Sequence, residues 1–150
     1  MSETFTAASG RKVVSRASAE EVGSVSHLVV DAADRVVSTI VVGKGRRAQL
    51  VDFSKLSGFG ADAVMITDED ALRAPSGERE EDAAKGHLEP IGRLALSDLG
   101  HELGNVEEIA FDPATGVIES VTVAGEQHPG EALLGVGGYA VVLQILPSSA

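Results

Sequence analysis

The chain states one pattern twice, and that repetition constrains its fold more than any other feature. Glu21-Val22-Gly23-Ser24-Val25 opens one half and Glu102-Leu103-Gly104-Asn105-Val106 opens the other. The glycines lie 81 positions apart (104 − 23), and the likeness continues at that offset: Leu28 on Ile109, Asp31 on Asp112, Val36-Val37 on Val117-Ile118, Ile40 on Val121 and Val42 on Val123. Further on, the offset reads as 78, with Gly60 on Gly138, Val64 on Val142 and Met65 on Leu143, so a three-residue gap in a loop is expected. A duplicated unit of this size reads as a paired architecture, each copy too small to bury its apolar face alone.

The repeated unit is made of strands. Val25 to Val30 is an apolar run ended by the turn residues Asp31 to Asp34. Arg35 to Val42 follows, with Val36, Ile40 and Val42 on one pleat face and Val37, Thr39 and Val41 on the other. Apolar residues on both faces predict a strand covered on both sides, as in a small closed barrel. Gly43-Lys44-Gly45 is a turn, Gln49 to Phe53 a third strand, Ser54-Lys55-Leu56 a single helical turn, and Ala63 to Thr67 the closing strand. In the second half Asn105 to Phe111 and Val117 to Val123 flank the turn Asp112-Pro113-Ala114-Thr115-Gly116. Gln127 to Gly130 reads as a loop, Glu131 to Leu134 takes the place of the third strand, and Tyr139 to Leu146 closes the unit before a frayed tail at Pro147 to Ala150.

Composition agrees with strands. The chain has 150 residues and is 43% hydrophobic but only 3% aromatic, so Val, Ile, Leu and Ala must build the core. Phe5, Phe53, Phe59, Phe111 and Tyr139 are its few large fillers. A half of about 70 residues buries only roughly 60% of its unfolded surface, so the halves are expected to pack together or to dimerise. The boundaries fall at residues 1–72 and 90–150, separated by an acidic polar linker over residues 73–89. Ser76 could cap a helix there, but Glu78 to Lys85 lacks an apolar stripe and reads as exposed.

The Val-Gly-x-Val entry with its Val-rich hairpin, together with Leu50-Val51-Asp52-Phe53-Ser54-Lys55-Leu56 and Gly60-x-Asp62-Ala63-Val64, resembles the PRC-barrel family. The resemblance covers Arg11 to Thr67 well and Ile91 to Leu146 more weakly, because Glu131-Ala132-Leu133-Leu134 departs from the first half's pattern. It implies an all-β protein of two tandem small PRC-like barrels packed pseudo-symmetrically. Members serve mostly as binding and assembly modules, and the family carries over no catalytic residues.

The net charge of −11 opposes nucleic acid and anionic membrane surfaces. The absence of Cys removes disulfide and thiol chemistry. Met1 to Gly10 is polar and unlike a signal peptide, and no apolar run is long enough to span a bilayer, so a cytoplasmic protein is expected.

Candidate sites are few. His101, His128 and Asp98 could ligate a metal, but their spacing matches no ligand motif and both histidines read as exposed turn residues. Asp98 with Glu102, or Asp31 with Asp112, could pair for acid–base work, yet Asp31 and Asp112 occupy equivalent turn positions. Gly135-Val136-Gly137-Gly138 precedes a strand, so a barrel-corner bend outweighs a phosphate cradle. Ser18 and Ser97 have no convergent base. The cluster Lys44-Gly45-Arg46-Arg47 reads as a hairpin tip, and Asp68-Glu69-Asp70 and Glu78 to Asp82 as solvated surface able to steer a basic partner.

No catalytic, cofactor or metal residue is therefore assigned. The expected role is a non-catalytic interaction or assembly module that docks a protein partner, a second copy of the chain included, through strand edges or the inter-barrel groove. The alternative is a small-ligand or metal-binding sensor.

Overall fold

A computed structural model describes residues 2–145. Leu146, the last residue of the expected closing strand, and the tail Pro147 to Ala150 lie outside the described residues.

The first half is a six-stranded sheet in the order β5-β4-β3-β2-β7-β6. Its strands are β2 (Lys12–Ser15), β3 (Glu21–Asp31), β4 (Val36–Val42), β5 (Gln49–Asp52), β6 (Leu56–Phe59) and β7 (Ala63–Ile66). All neighbours are antiparallel except β2 and β7. The second half repeats this as β11-β10-β9-β8-β13-β12, from β8 (Leu94–Ser97), β9 (Glu102–Phe111), β10 (Ile118–Val123), β11 (Glu126–Pro129), β12 (Leu133–Val136) and β13 (Ala140–Leu143). The pair β8 and β13 is parallel, as in the first half. A further short strand, β1 (Glu3–Thr4), pairs with the end of β9.

The repeated glycines explain themselves here. Val13 pairs with Gly23 and Val14 with Glu21, so Val22 bulges out. Ala95 pairs with Gly104 and Leu96 with Glu102, so Leu103 does the same. A Cβ on Gly23 would stand 2.6 Å from Val42 Cγ1, and Gly104 combines φ +126° with Ala124 Cβ at 3.0 Å. A second matched pair of bulges falls at Ser38 and Glu119, again 81 apart (119 − 38). The Ser38 bulge corrects the expected pleat: Val37 turns onto the core face with Ile40 and Val42, leaving Val41 on the outer face with Ala48 and Leu50.

Pairing also corrects the later offset. Lys12 lies beside Ala63 and Leu94 beside Ala140, so β7 and β13 correspond at 77 (140 − 63), not 78. Val64 and its true counterpart Val141 are both fully buried, whereas a slip of one would match Val64 to half-buried Val142. The gap lies in the β4–β5 turn, where Gly43–Ala48 is replaced by Ala124-Gly125, both at positive φ, the conformation of a tight hairpin. The third strand of the second half is therefore Glu126–Pro129, the stretch expected to be a loop, and Gly130–Ala132 is the 3-10 turn matching Phe53–Lys55. Pro129 is tolerated because it ends an edge strand and owes the ladder no donor beyond it.

The two halves share one core. Phe111, fully buried, meets Phe5, Phe53 and Phe59 edge-on at centroid separations of 5.7, 6.5 and 5.3 Å. Val36 and Val117, equivalent residues, form an antiparallel bridge. Val37 N donates to Gly116 O at 2.7 Å and Ile118 N to Arg35 O at 2.9 Å. Each bond is the other shifted by 81, so a pseudo-two-fold axis passes between the halves. Tyr139, expected in the core, is 77% exposed because it sits in the turn before β13.

Leading segments cross between the halves. Helix α1 (Phe5–Ala8) lies before the first half yet packs on β9, burying Phe5 and Ala8. Helix α2 (Glu78–Ala84) lies before the second half yet packs on β3, burying Ala83. The expected exposed linker thus contains a packed helix. Its apolar contact is two alanines, too slight to register as an amphipathic stripe.

Replacing Phe111 by Ala is expected to cost about 3–5 kcal/mol by leaving a cavity. Melting followed by circular dichroism should remain a single transition shifted down by about 10 °C or more, because both halves lose the same packing partner. Substituting Gly23 by Ala, against the Val42 methyl, should destabilise by about 1–3 kcal/mol in urea titration.

Candidate functional site

One concavity runs between the halves. Strands β3 to β5 present Val29, Val30 and Leu50, α2 adds Ala83, and β12 of the second half closes the far wall with Gly135 and Val136. The groove holds about 490 Å³ and is half open to solvent. Its lip carries Asp31, Ser38, Thr39, Arg79 and Glu80.

Those lip groups are held in place. Asp31 Oδ1 accepts from Ala33 N at 3.0 Å and Asp34 N at 3.3 Å, capping its own turn. Ser38 Oγ donates to Val29 O at 3.4 Å. Arg79 Nη2 reaches Val136 O at 3.5 Å, and Arg35 Nε donates to Leu133 O at 2.9 Å, tying the two halves across the groove. Arg73 donates to both oxygens of Glu80 at 2.7 Å and to Asp52 Oδ1 at 2.8 Å. Its backbone also bridges Leu50, covering the β5 edge. The Glu80 carboxyl is held below its ordinary range, first by the Arg73 hydrogen bonds and further by Ser76 N, against a desolvation cost. Arg73 is correspondingly pushed up by Glu80 and then Asp52. This partly exposed triad anchors the helix that forms one wall.

The residues singled out by sequence are scattered. Among the described residues no group of three His, Asp or Glu side chains could hold a metal ion. His101 is exposed, whereas His128, expected to be exposed, is buried in β11 opposite Val121. Asp98 Oδ1 accepts from Ile145 N at 3.2 Å, and Glu102 begins β9. Asp112 Oδ1 accepts from Ala114 N at 2.8 Å, as Asp31 does in its own turn. Gly137 N donates to Ala140 O across the turn joining β12 to β13, so the glycine run is a bend between strands. Ser97 Oγ accepts from Leu99 N and His101 N, and Ser18 Oγ donates to Glu69 Oε1. Asp68 caps the 3-10 turn Glu69–Ala71. No helix among the described residues is long and apolar enough to cross a membrane. The sequence anticipates a groove between the halves but not its lining, because the walls come from elements far apart in the chain.

Residues 6–73 match the family model described as PRC-barrel domain. The chain is also 38% identical over 73 residues to a protein named transcription elongation factor GreA from Phenylobacterium zucineum (strain HLK1). That alignment covers 44% of this chain and 46% of the other, so the chain spans about half the length of the curated relative it matches.

Sign matters for the triad's pH dependence. A carboxyl with a lowered folded pKa stabilises the fold fully above its unfolded value and loses that contribution as pH falls through the folded one. The stability difference between the native chain and Glu80→Gln should therefore be largest above about pH 5 and shrink below about pH 4, as read by urea unfolding.

Proposed function

We propose that this chain, which belongs through residues 6–73 to the PRC-barrel family, is a non-catalytic interaction module that docks a protein partner in the groove between its halves. The observation carrying this reading is the groove itself, whose base closes over the buried side chains of Val30, Leu50 and Val136. Its accessible lining joins Val29, Ala32 and Ala33 to Asp31, Ser38 and Glu80, the last three already hydrogen-bonded. Such a mixed surface suits a protein partner, which covers apolar area at Val29, Ala32 and Ala33 while the Glu80 carboxylate keeps its Arg73 ion pair. Acidic surface elsewhere steers a basic partner to the site. The similarity to a protein named for transcription elongation makes the transcription machinery a reasonable first place to seek that partner.

Photo-crosslinking in cells tests this. A benzophenone side chain at exposed Ala33 on the lip should give a discrete adduct with another protein, and one at exposed Ser57 on β6 should not. Gly135→Arg should abolish the Ala33 adduct without unfolding the chain, since no atom lies within 4 Å of a Cβ at that position. Adducts only between copies of this chain would assign a homo-oligomeric role. Equal adducts from Ala33 and Ser57 would overturn the groove as the docking site.

A further inference from the structure

The basic cluster that the sequence places at a hairpin tip forms part of a second concavity. Four segments converge there: the chain after α1 supplies Ser9, the start of β3 supplies Ser24, Ser26 and His27, the β4–β5 turn supplies Lys44, and the end of α2 supplies Lys85. The space is about 550 Å³, within the range of small-molecule sites. Arg46 and Arg47 stand beside it in the 3-10 turn Gly45–Arg47.

Charge makes this place unusual. The chain carries 23 Asp and Glu against 12 Lys and Arg, so a basic side chain is surrounded by potential partners. Arg11, Lys12 and Arg73 are ion-paired, while Arg16, Arg35, Lys55, Arg79 and Arg93 have no ion pair among the described residues, so it is the gathering of four unpaired cations that sets this place apart. Lys44, Arg46, Arg47 and Lys85 have no carboxylate within ion-pair distance among the described residues. Glu89 meets His27 Nδ1 at 3.4 Å and lines a small adjoining recess, and Glu81 and Asp82 stand one turn before Lys85 on α2 without pairing with it. One serine is committed, since Ser26 Oγ donates to Gly43 O, while Ser9 and Ser24 have free hydroxyls among the described hydrogen bonds. Gly43 and Gly45, both at positive φ, and Gly10 keep the approach clear of side chains.

We propose that this groove binds a small phosphate-bearing ligand. Two ammonium groups from different segments, with two guanidinium groups in the adjoining turn and hydroxyl donors in the lining, suit an oxyanion with several acceptor oxygens better than a single carboxylate. A nucleic-acid backbone would bring the same phosphate chemistry but must approach a chain of net charge −11, whereas a small ligand senses only the local field. The site is separate from the docking groove and stands whether or not that groove takes a protein.

The test is a titration of the isotope-labelled full chain with inorganic phosphate and then pyrophosphate, at ionic strength matched with chloride. Saturable amide shifts should centre on Ser24, Lys44, Gly45 and Lys85, with pyrophosphate binding more tightly than phosphate. The double change Lys44→Gln and Lys85→Gln should weaken pyrophosphate by at least about tenfold while the melting temperature holds. The control pair Arg16→Gln and Lys55→Gln, neither of which lines the groove, should bind as the native chain does. Shifts that follow chloride equally, or a double variant that binds unchanged, would overturn the proposal. Tight binding of a single-stranded oligonucleotide that displaces pyrophosphate would overturn the restriction to small ligands.

Discussion

One phenylalanine joins what are otherwise two small sheets. Phe111 ends β9, the longest strand of the second half, and its ring is met by Phe5 from the leading segment and by Phe53 and Phe59 from the first half. With so few aromatic residues in the chain, gathering all four phenylalanines at one point puts its largest apolar side chains where the halves touch. Neither sheet has enough bulk to seal its own open face without the other. The shared core is therefore a condition of folding rather than a later docking of finished domains.

Symmetry extends this dependence outward. The Val36–Val117 bridge pairs a residue with its own repeat, which a two-fold axis requires and chance seldom supplies. The same axis relates the crossing segments. Thr6 N donates to Glu108 Oε1 at 3.1 Å on β9, and Glu89 meets His27 on β3, with His27 and Glu108 equivalent at offset 81 (108 − 27). Arg11 fastens the first crossing, pairing with Glu3 at 3.0 Å, donating to Gly60 O at 2.8 Å and lying over the Phe59 ring. Each half is thus closed by the segment that introduces the other.

The symmetry fails on the outer faces of the sheets. The outer face of the first sheet is apolar at Val41 and Leu50, and their counterparts are Thr122 and Gln127. Helix α2 covers the apolar version, so the walls of both concavities exist only on that side. The polar version has no apolar surface that a helix would need to cover. A duplicated scaffold with one modified face thus places the two α2-walled grooves on one side, while the second half carries different recesses lined by His128 and Pro129.

Local chemistry in the sequence was enough to determine β3, β4, β5, β7, β9 and β10, the Asp31 and Asp112 turns and the duplication, because alternation, turn residues and glycine position act over a few neighbours. The short strands β2, β6 and β8 carry too little pattern to be read. It also marked Phe5, Phe53, Phe59 and Phe111 as core, since a chain this poor in large side chains has few other ways to fill space. Only the tertiary structure decided the register of β13, the strand at Glu126–Pro129, the burial of His128 and the exposure of Tyr139. Each turns on a one-residue shift or on what another strand places opposite, and the local pattern carries neither. The helix at Glu78–Ala84 and the two grooves belong to the same class. Two alanines against a sheet, or lysines 41 positions apart (85 − 44), become a surface only once the chain has crossed from one half to the other.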